Sequence, residues 1–310
     1  MATEAVPTKA RPPGRPWTER LAGSPLLWLA PLALVLVLTF VFPIFEIARL
    51  SLTDADLVGA DYSYTLGSYT GLLAAPYFVN MVVVTLVFVI VSVVFQMILG
   101  FFIALAVDQG ARRNMRVSII TRTAVLTAWA IPGVIIGVIW SILYQQSAGG
   151  ILNYFIVTLG FQSVPFLSSP EAALASVTLA NIWRGTAFSM ILIYAGLQTI
   201  PNDVIEAARV DGANAFQRMT RVILPLLAPI LFINLVIISI DTFNTFDMVL
   251  ALTGGGPGRS TEVIALSVYN QIFQQFDLGQ GAATAVVLLA INAIMTLVYI
   301  RLLQREEGVA

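Results

Sequence analysis

The sequence predicts an all-α integral membrane protein, and three observations carry that prediction. Of 310 residues, 58% are hydrophobic and only 11% are charged, against roughly 25% charged in soluble domains. Six apolar runs reach membrane length, each close to the ~20 residues a helix needs to cross ~30 Å of hydrocarbon. The basic residues concentrate in alternate connecting segments, as they do when successive loops lie on opposite sides of a bilayer. Helices are required here because lipid offers backbone groups no hydrogen-bond partners.

The elements follow in order. Residues 1–24 carry Pro12, Pro13 and Pro16 among arginines and read as a flexible tail. The spans are expected near 26–49, 78–106, 117–144, 172–198, 226–252 and 281–303, giving a six-helix domain over 25–305 and a short tail over 306–310. The first run is too long for a signal-peptide core and lacks a small-residue cleavage site, so it is expected to be retained. Lys9, Arg11, Arg15 and Arg20 precede the first span, and Arg112, Arg113 and Arg116 follow the second. Arg209, Arg218 and Arg221 precede the fifth, and Arg301 and Arg305 end the sixth; the opposite loops contain only Arg259. The positive-inside rule then puts both termini and the segment 200–225 in the cytoplasm.

The other loops are less informative. The 51–77 loop is acidic and Tyr-bearing (Asp54, Asp56, Asp61, Tyr62, Tyr64): either a solvated connector or part of a docking face for an external partner. Gly149 to Phe155 has an apolar helical stripe that suits a short interfacial helix. The stretch Thr253 to Ser260 resembles a phosphate-binding loop. It lacks that motif's first glycine and its lysine, and it follows a membrane helix instead of a strand. Its glycines are expected to end the fifth helix, so no ATPase site is expected in this chain. With no His and no Cys, thiolate or imidazole metal sites, disulfides and Ser-His or Cys-His catalytic pairs are excluded. A net charge of −1 provides no basic surface for nucleic acid.

Polar groups at membrane depth are costly and mark candidate sites. Asn181, Arg184, Gly185 and Phe188 in the fourth span recur at helical spacing and share one face. In the fifth, Thr242 and Thr245 share a face, with Asp241 and Asn244 on an adjoining stripe. Amides, hydroxyls and rings together suit a sugar, whose OH groups exchange hydrogen bonds and whose apolar faces rings can cover. A second reading pairs Arg184 with Asp241 or Asp247 as a tie between helices. In the third span, Pro132-Gly133 and the Gly133–Gly137 spacing fit close helix packing or a hinge.

The segment Glu206 to Pro225 is a polar island between two apolar runs: an Ala-rich start, a central glycine, an apolar end closed by proline. Glu206-Ala207-Ala208, Gly212, then Val222-Ile223-Leu224-Pro225 resembles the cytoplasmic signature of permease subunits of ATP-binding-cassette importers, with valine in place of an isoleucine. Asn181 to Gly185 with Gly196 to Pro201, Phe246 to Pro257 and Phe276 to Gly279 are similar to the carbohydrate branch, notably the larger permease subunit of the maltose importer, without that subunit's extra amino-terminal helices and periplasmic domain.

The resemblance implies a type I importer permease fold and a coupling helix, turned at Gly212, that docks on an ATPase. The coupling residues would be Glu206, Ala207, Ala208, Asp211, Gly212, Leu224 and Pro225, with Pro225 restarting the chain into the fifth span. It implies substrate contacts at Asn181, Arg184, Gly185, Phe188, Asp241, Thr242, Asn244 and Thr245. The implied partners are a second homologous permease, two ATPases that carry ATP and Mg, an extracytoplasmic binding protein, the sugar and lipid, all at a bacterial inner membrane. This chain itself would need no cofactor. The alternative within transport is a non-sugar solute such as glycerol phosphate or another anion. A membrane enzyme lacks its catalytic set here, and a secondary transporter would show repeats and no docking loop.

Overall fold

The computed structural model describes residues 25–307 apart from 60, 114 and 148; the tail expected over 1–24, and residues 308–310, lie outside the described residues. The described residues up to Arg49 form one compact unit and those from Leu50 onward a second. In the first, α1 (Pro25–Leu36) runs through a π-helical stretch, Val37–Val41, into α2 (Phe42–Leu50), making one apolar span from Trp28. Pro43 has no N–H, and its ring would press on the Thr39 carbonyl. The wider π turn around Thr39 takes up that conflict without ending the helix.

Among its described residues the second unit has helices and isolated bridges. The loop after α2 closes on itself through Thr53 and Tyr64, and Asp56 pairs with Asp277. α3 (Gly67–Ala74) leads to α4 (Phe78–Arg112). The third span is broken in two: α5 (Arg116–Ala130) and α6 (Gly133–Leu143) meet at 102°. Ile131 is extended ahead of Pro132, as the residue before a proline must be. The loop that follows contains α7 (Ile151–Thr158), the helix expected there. Asn153 pins it, donating to Gln145 O and Val164 O and accepting from Val164 N.

α8 (Pro170–Gln198) starts on a Ser169 cap with Pro170 at its first turn. α9 (Asn202–Val210) and α10 (Ala215–Arg218) follow. α10 continues through a second π stretch, Met219–Ile223, into α11 (Leu224–Phe243). Pro225 therefore does not restart the chain. The π turn surrounds Arg221, whose carbonyl the proline ring would meet, and one helix runs unbroken from Ala215 to Phe243. The fifth span instead breaks later, at Asn244–Phe246, before α12 (Asp247–Thr253). α13 (Ile264–Phe273), unforeseen inside a glycine-rich loop, precedes α14 (Leu278–Glu307).

Six uninterrupted apolar spans are not what the chain forms. Among the described residues, four helices are long and apolar enough to cross a membrane, five if the bent α5–α6 pair counts as one. α8 has the length but stands outside that set. It is the central helix, packed against α4, α5, α11 and α12, and polar side chains replace apolar ones along its covered faces. A first core cluster joins α4, α6, α8, α11 and α12 through Phe88, Ile136, Val177, Ile238 and Met248. A second, smaller cluster joins Ala104, Met190, Ile193, Leu197 and Leu227 near the start of α9.

Candidate functional site

The α9–α10 elbow is rigid and open. Pro201 sets the entry, with φ −60° and ψ 140°. Asp211, Gly212 and Ala213 donate back to the carbonyls of Ala207, Arg209 and Ala208 at 2.9–3.0 Å. Gly212 turns the chain at φ +79°, with nothing within 4 Å of where a Cβ would stand; an L side chain there would be strained by the backbone alone. Asn214 and Gln217 then form a reciprocal capping box at 2.9 Å, and Arg218 donates to Ala213 O at 2.7 Å.

Ile205 and Ile223 pack on the smaller core cluster, so the elbow's inner side is held. Ala208 and Leu224 are half-buried, while Glu206, Ala207, Asp211, Gly212 and Pro225 are exposed. Val210 is 88% exposed and Phe216 75%. These two flank the turn, and sequence reasoning missed them. The available signal was a large apolar residue on each side of a solvent-facing glycine. Among the described residues Glu206 makes no hydrogen bond or ion pair, so its carboxylate is free for an external cation.

The predicted intramembrane residues divide into three settings. Asn181 is 2% exposed. Its carbonyl accepts from Gln96 Nε2 at 3.0 Å, and a Cβ on Gly185 would overlap the Gln96 amide. Both face α4. There, buried Ser92, Gln96, Gly100, Ala104 and Asp108 repeat every fourth residue, one stripe along a helix, and a Cβ on Gly100 would press on Ser189. This α4–α8 seam is built from small and polar residues, which let helix backbones approach closely.

Arg184 and Phe188 lie beside the seam and are half-buried. Phe188 packs on Trp129 of α5 at 5.8 Å. Trp183 meets Trp140 of α6 at 6.1 Å, and Trp140 continues to Tyr144 and Phe166. Among the described residues no ion pair joins Arg184 to Asp241 or Asp247. Trp129 and Trp183 keep 49% and 43% of their surface exposed. Neither tryptophan, nor Trp140, was among the predicted contacts.

Thr242 and Thr245 are buried, whereas Asp241 and Asn244 are exposed. Thr245 Oγ1 donates to Asp241 O at 2.9 Å, and Asn244 Nδ2 to Ile240 O at 2.7 Å beside the Asn244 backbone N–H, so both side chains bond the last carbonyls of α11. The broken helices then meet. A Cβ on Gly133 would overlap the Asp247 carboxylate, and one on Gly137 would lie 2.7 Å from Ala251 Cβ. The Gly133–Gly137 spacing is thus a packing face against α12, with an acidic group at the positive end of α6. The glycine-rich loop after α12 begins at Gly254 in the left-handed conformation, and Arg259 stacks over Tyr77 at 3.9 Å while pairing with Glu262 at 3.2 Å.

A helical membrane unit with an exposed two-helix elbow and no ATPase of its own is the form of an ABC importer permease, and comparison with known proteins agrees. Residues 96–307 match the family described as binding-protein-dependent transport system inner membrane component. The chain belongs to that family: it is the permease component of an ABC transporter, a multi-pass inner-membrane protein and not the ATPase subunit. It is similar to the trehalose/maltose transport system permease protein MalF of Thermococcus litoralis, 33% identical over 276 residues covering 89% of this chain and 92% of that one. It is also similar to the sn-glycerol-3-phosphate transport system permease protein UgpA of Brucella abortus, 30% identical over 284 residues covering 91% and 95%. Among solved structures, a bacterial ABC transporter that imports the acidic polysaccharide alginate has a chain of the same fold, with TM-score 0.78 at 20% identity over 93% of this chain and 98% of that one. Membership of this family of ABC transporter permeases implies a complex with a binding protein and ATPases, and the permease has no cofactor.

Proposed function

We propose that this chain is a permease subunit of an ATP-driven sugar importer, forming the pathway with a second homologous permease. Two ATPases dock on it and its partner, and a binding protein delivers the sugar on the other side. In this reading α1–α2, α4, α5–α6, α8, α10–α12 and α14 serve as the six spans of a type I permease, with 200–225 and both termini cytoplasmic. The single observation that carries the reading is the elbow: a rigid turn presenting Val210, Phe216 and a free Glu206 to solvent, with no use for them inside the chain. ATP-driven closure of the ATPases would push on this knob. Replacing Val210→Ser and Phe216→Ser together should leave the permease inserted and folded while ATPase co-purification falls by about tenfold or more, as loss of an apolar anchor does. Undiminished co-purification would refute the docking role.

The cargo reading rests on the partly exposed rings of Trp129 and Trp183, half-buried Arg184 and Phe188, and exposed Asp241 and Asn244; Asn181 and Gly185, which face α4, and buried Thr242 and Thr245 would have to be uncovered to join them. Rings that cover apolar sugar faces next to hydrogen-bonding groups suit a di- or oligosaccharide. A second reading, an anionic solute such as glycerol phosphate, is favoured by one observation, the guanidinium of Arg184 without an acidic partner among the described residues. Arg184→Leu, assayed against neutral and anionic sugars and glycerol phosphate, separates the two. Selective loss of anion uptake supports the second reading, and an even change across the panel supports the first.

A further inference from the structure

Where α4 and α8 reach the elbow, four side chains form one continuous polar link. Asp108 is 6% exposed. Its Oδ1 accepts from Gln198 Nε2 at 2.6 Å and its Oδ2 from Arg112 Nε at 2.7 Å. Arg112 Nη1 in turn donates to Asn202 Oδ1, and Asn202 is the first residue of α9. The link therefore runs from the last residue of α8, through the end of α4, to the start of α9.

The backbone joins α9 to α8 through Thr199, Ile200 and Pro201, and to α10 through the turn at Gly212. Nothing covalent nearby connects α9 to α4, whose Arg112 lies 90 residues earlier. A buried carboxylate needs both of its donors, since removing a partner leaves an uncompensated charge, so Arg112 and Gln198 are held in place by Asp108. Deeper in the membrane the same two helices are locked by Gln96 on Asn181 and Gly185 and by Gly100 on Ser189. On the other side of α4, buried Ser118 Oγ donates to Val107 O at 2.9 Å, binding the start of α5 to the same end.

We infer that Asp108, Arg112, Gln198 and Asn202 are positioning residues that clamp α9 to α4 as well as to α8, so that force entering at the elbow moves the α4–α8 pair as one body. The inference rests on the reading of 202–218 as the ATPase dock. Without the clamp, the apolar packing of Ile205 would be what remains to hold α9 against α4 and α8, a contact that fixes the direction of α9 less tightly than directed hydrogen bonds.

The test uses the complete importer, both permeases with ATPases and binding protein, in proteoliposomes, with uptake and ATP hydrolysis measured together. Asn202→Ala, at an exposed position, and the isosteric Asp108→Asn should keep the ATPases bound and hydrolysing while uptake per ATP falls by about tenfold, the scale expected for losing a hydrogen bond to a charged group. Wild-type uptake per ATP in both variants overturns the clamp. If Asp108→Asn fails to insert, Asn202→Ala decides alone. Because the chain has no cysteine, spin labels at Gln109→Cys on α4 and at Arg209→Cys, an exposed position on α9, give a readout that simple stability would not move. Their distance distribution should broaden in Asn202→Ala, and an unchanged distribution also overturns the inference. Should Val210→Ser with Phe216→Ser leave ATPase binding intact, the docking reading fails, and the label distances still judge the clamp.

Discussion

The elbow over Asn202–Arg218 and the α4–α8 seam are the two polar zones of an apolar chain, and they use polarity in opposite ways. In the seam every small or polar residue is turned inward. Gln96 donates to Asn181 O, Gly185 makes room for the Gln96 amide, and Gly100 makes room for Ser189. In the elbow the backbone groups are satisfied by the turn and the capping box, while Glu206, Val210 and Phe216 are left to solvent. Small and polar residues packed inside the chain mark architecture. Apolar and charged residues unused inside it mark a surface made for another molecule.

Two glycines sharpen that contrast, and their substitutions should differ in both size and kind. Gly185→Leu has the larger expected effect. Its side chain would have to displace the Gln96 amide, and overpacking a filled contact costs roughly 1–3 kcal/mol. The purified permease should therefore unfold at a lower temperature and give less inserted protein. An unchanged melting temperature would mean that the seam is softer than its geometry indicates. Gly212→Ala should cost less, about 1 kcal/mol of left-handed backbone strain, because the added methyl meets nothing. That cost falls on the turn alone: the melting temperature should barely move, while ATPase co-purification weakens several-fold as the elbow opens. A substantial drop in melting temperature for Gly212→Ala would erase the distinction between the two zones.

Much of this fold could be read from residue order, and the failures share a physical cause. Span positions were legible because lipid demands apolar runs. The elbow was legible because a polar, Ala-rich stretch between such runs has no other use. The breaks were not. Pro132 signalled a looser backbone, but the 102° bend depends on α12 accepting Gly133 and Gly137, a contact more than a hundred residues away in sequence. The break at Asn244 was hidden because the side chains read as substrate contacts, Asn244 and Thr245, also bond the last carbonyls of α11. The every-fourth-residue stripe from Ser92 to Asp108 lay open in the sequence, yet inside a long apolar run it carries no contrast until α8 is laid against it. Trp129 and Trp183 were passed over for a similar reason, since aromatic residues in a membrane span are ordinary until their neighbours are known.

The wide turn at Met219–Ile223 has a mechanical consequence. By absorbing Pro225 without ending the helix, it leaves a single rod from Ala215 to Phe243, 29 residues and therefore about 44 Å long at 1.5 Å per residue. One end of that rod is the elbow's second arm and the other carries the break at Asn244. A tilt of about one degree at the near end sweeps the far end through about 0.8 Å. Keeping a proline inside the helix thus carries a tilt at the elbow, undivided, to the level of Asn244 and Thr245.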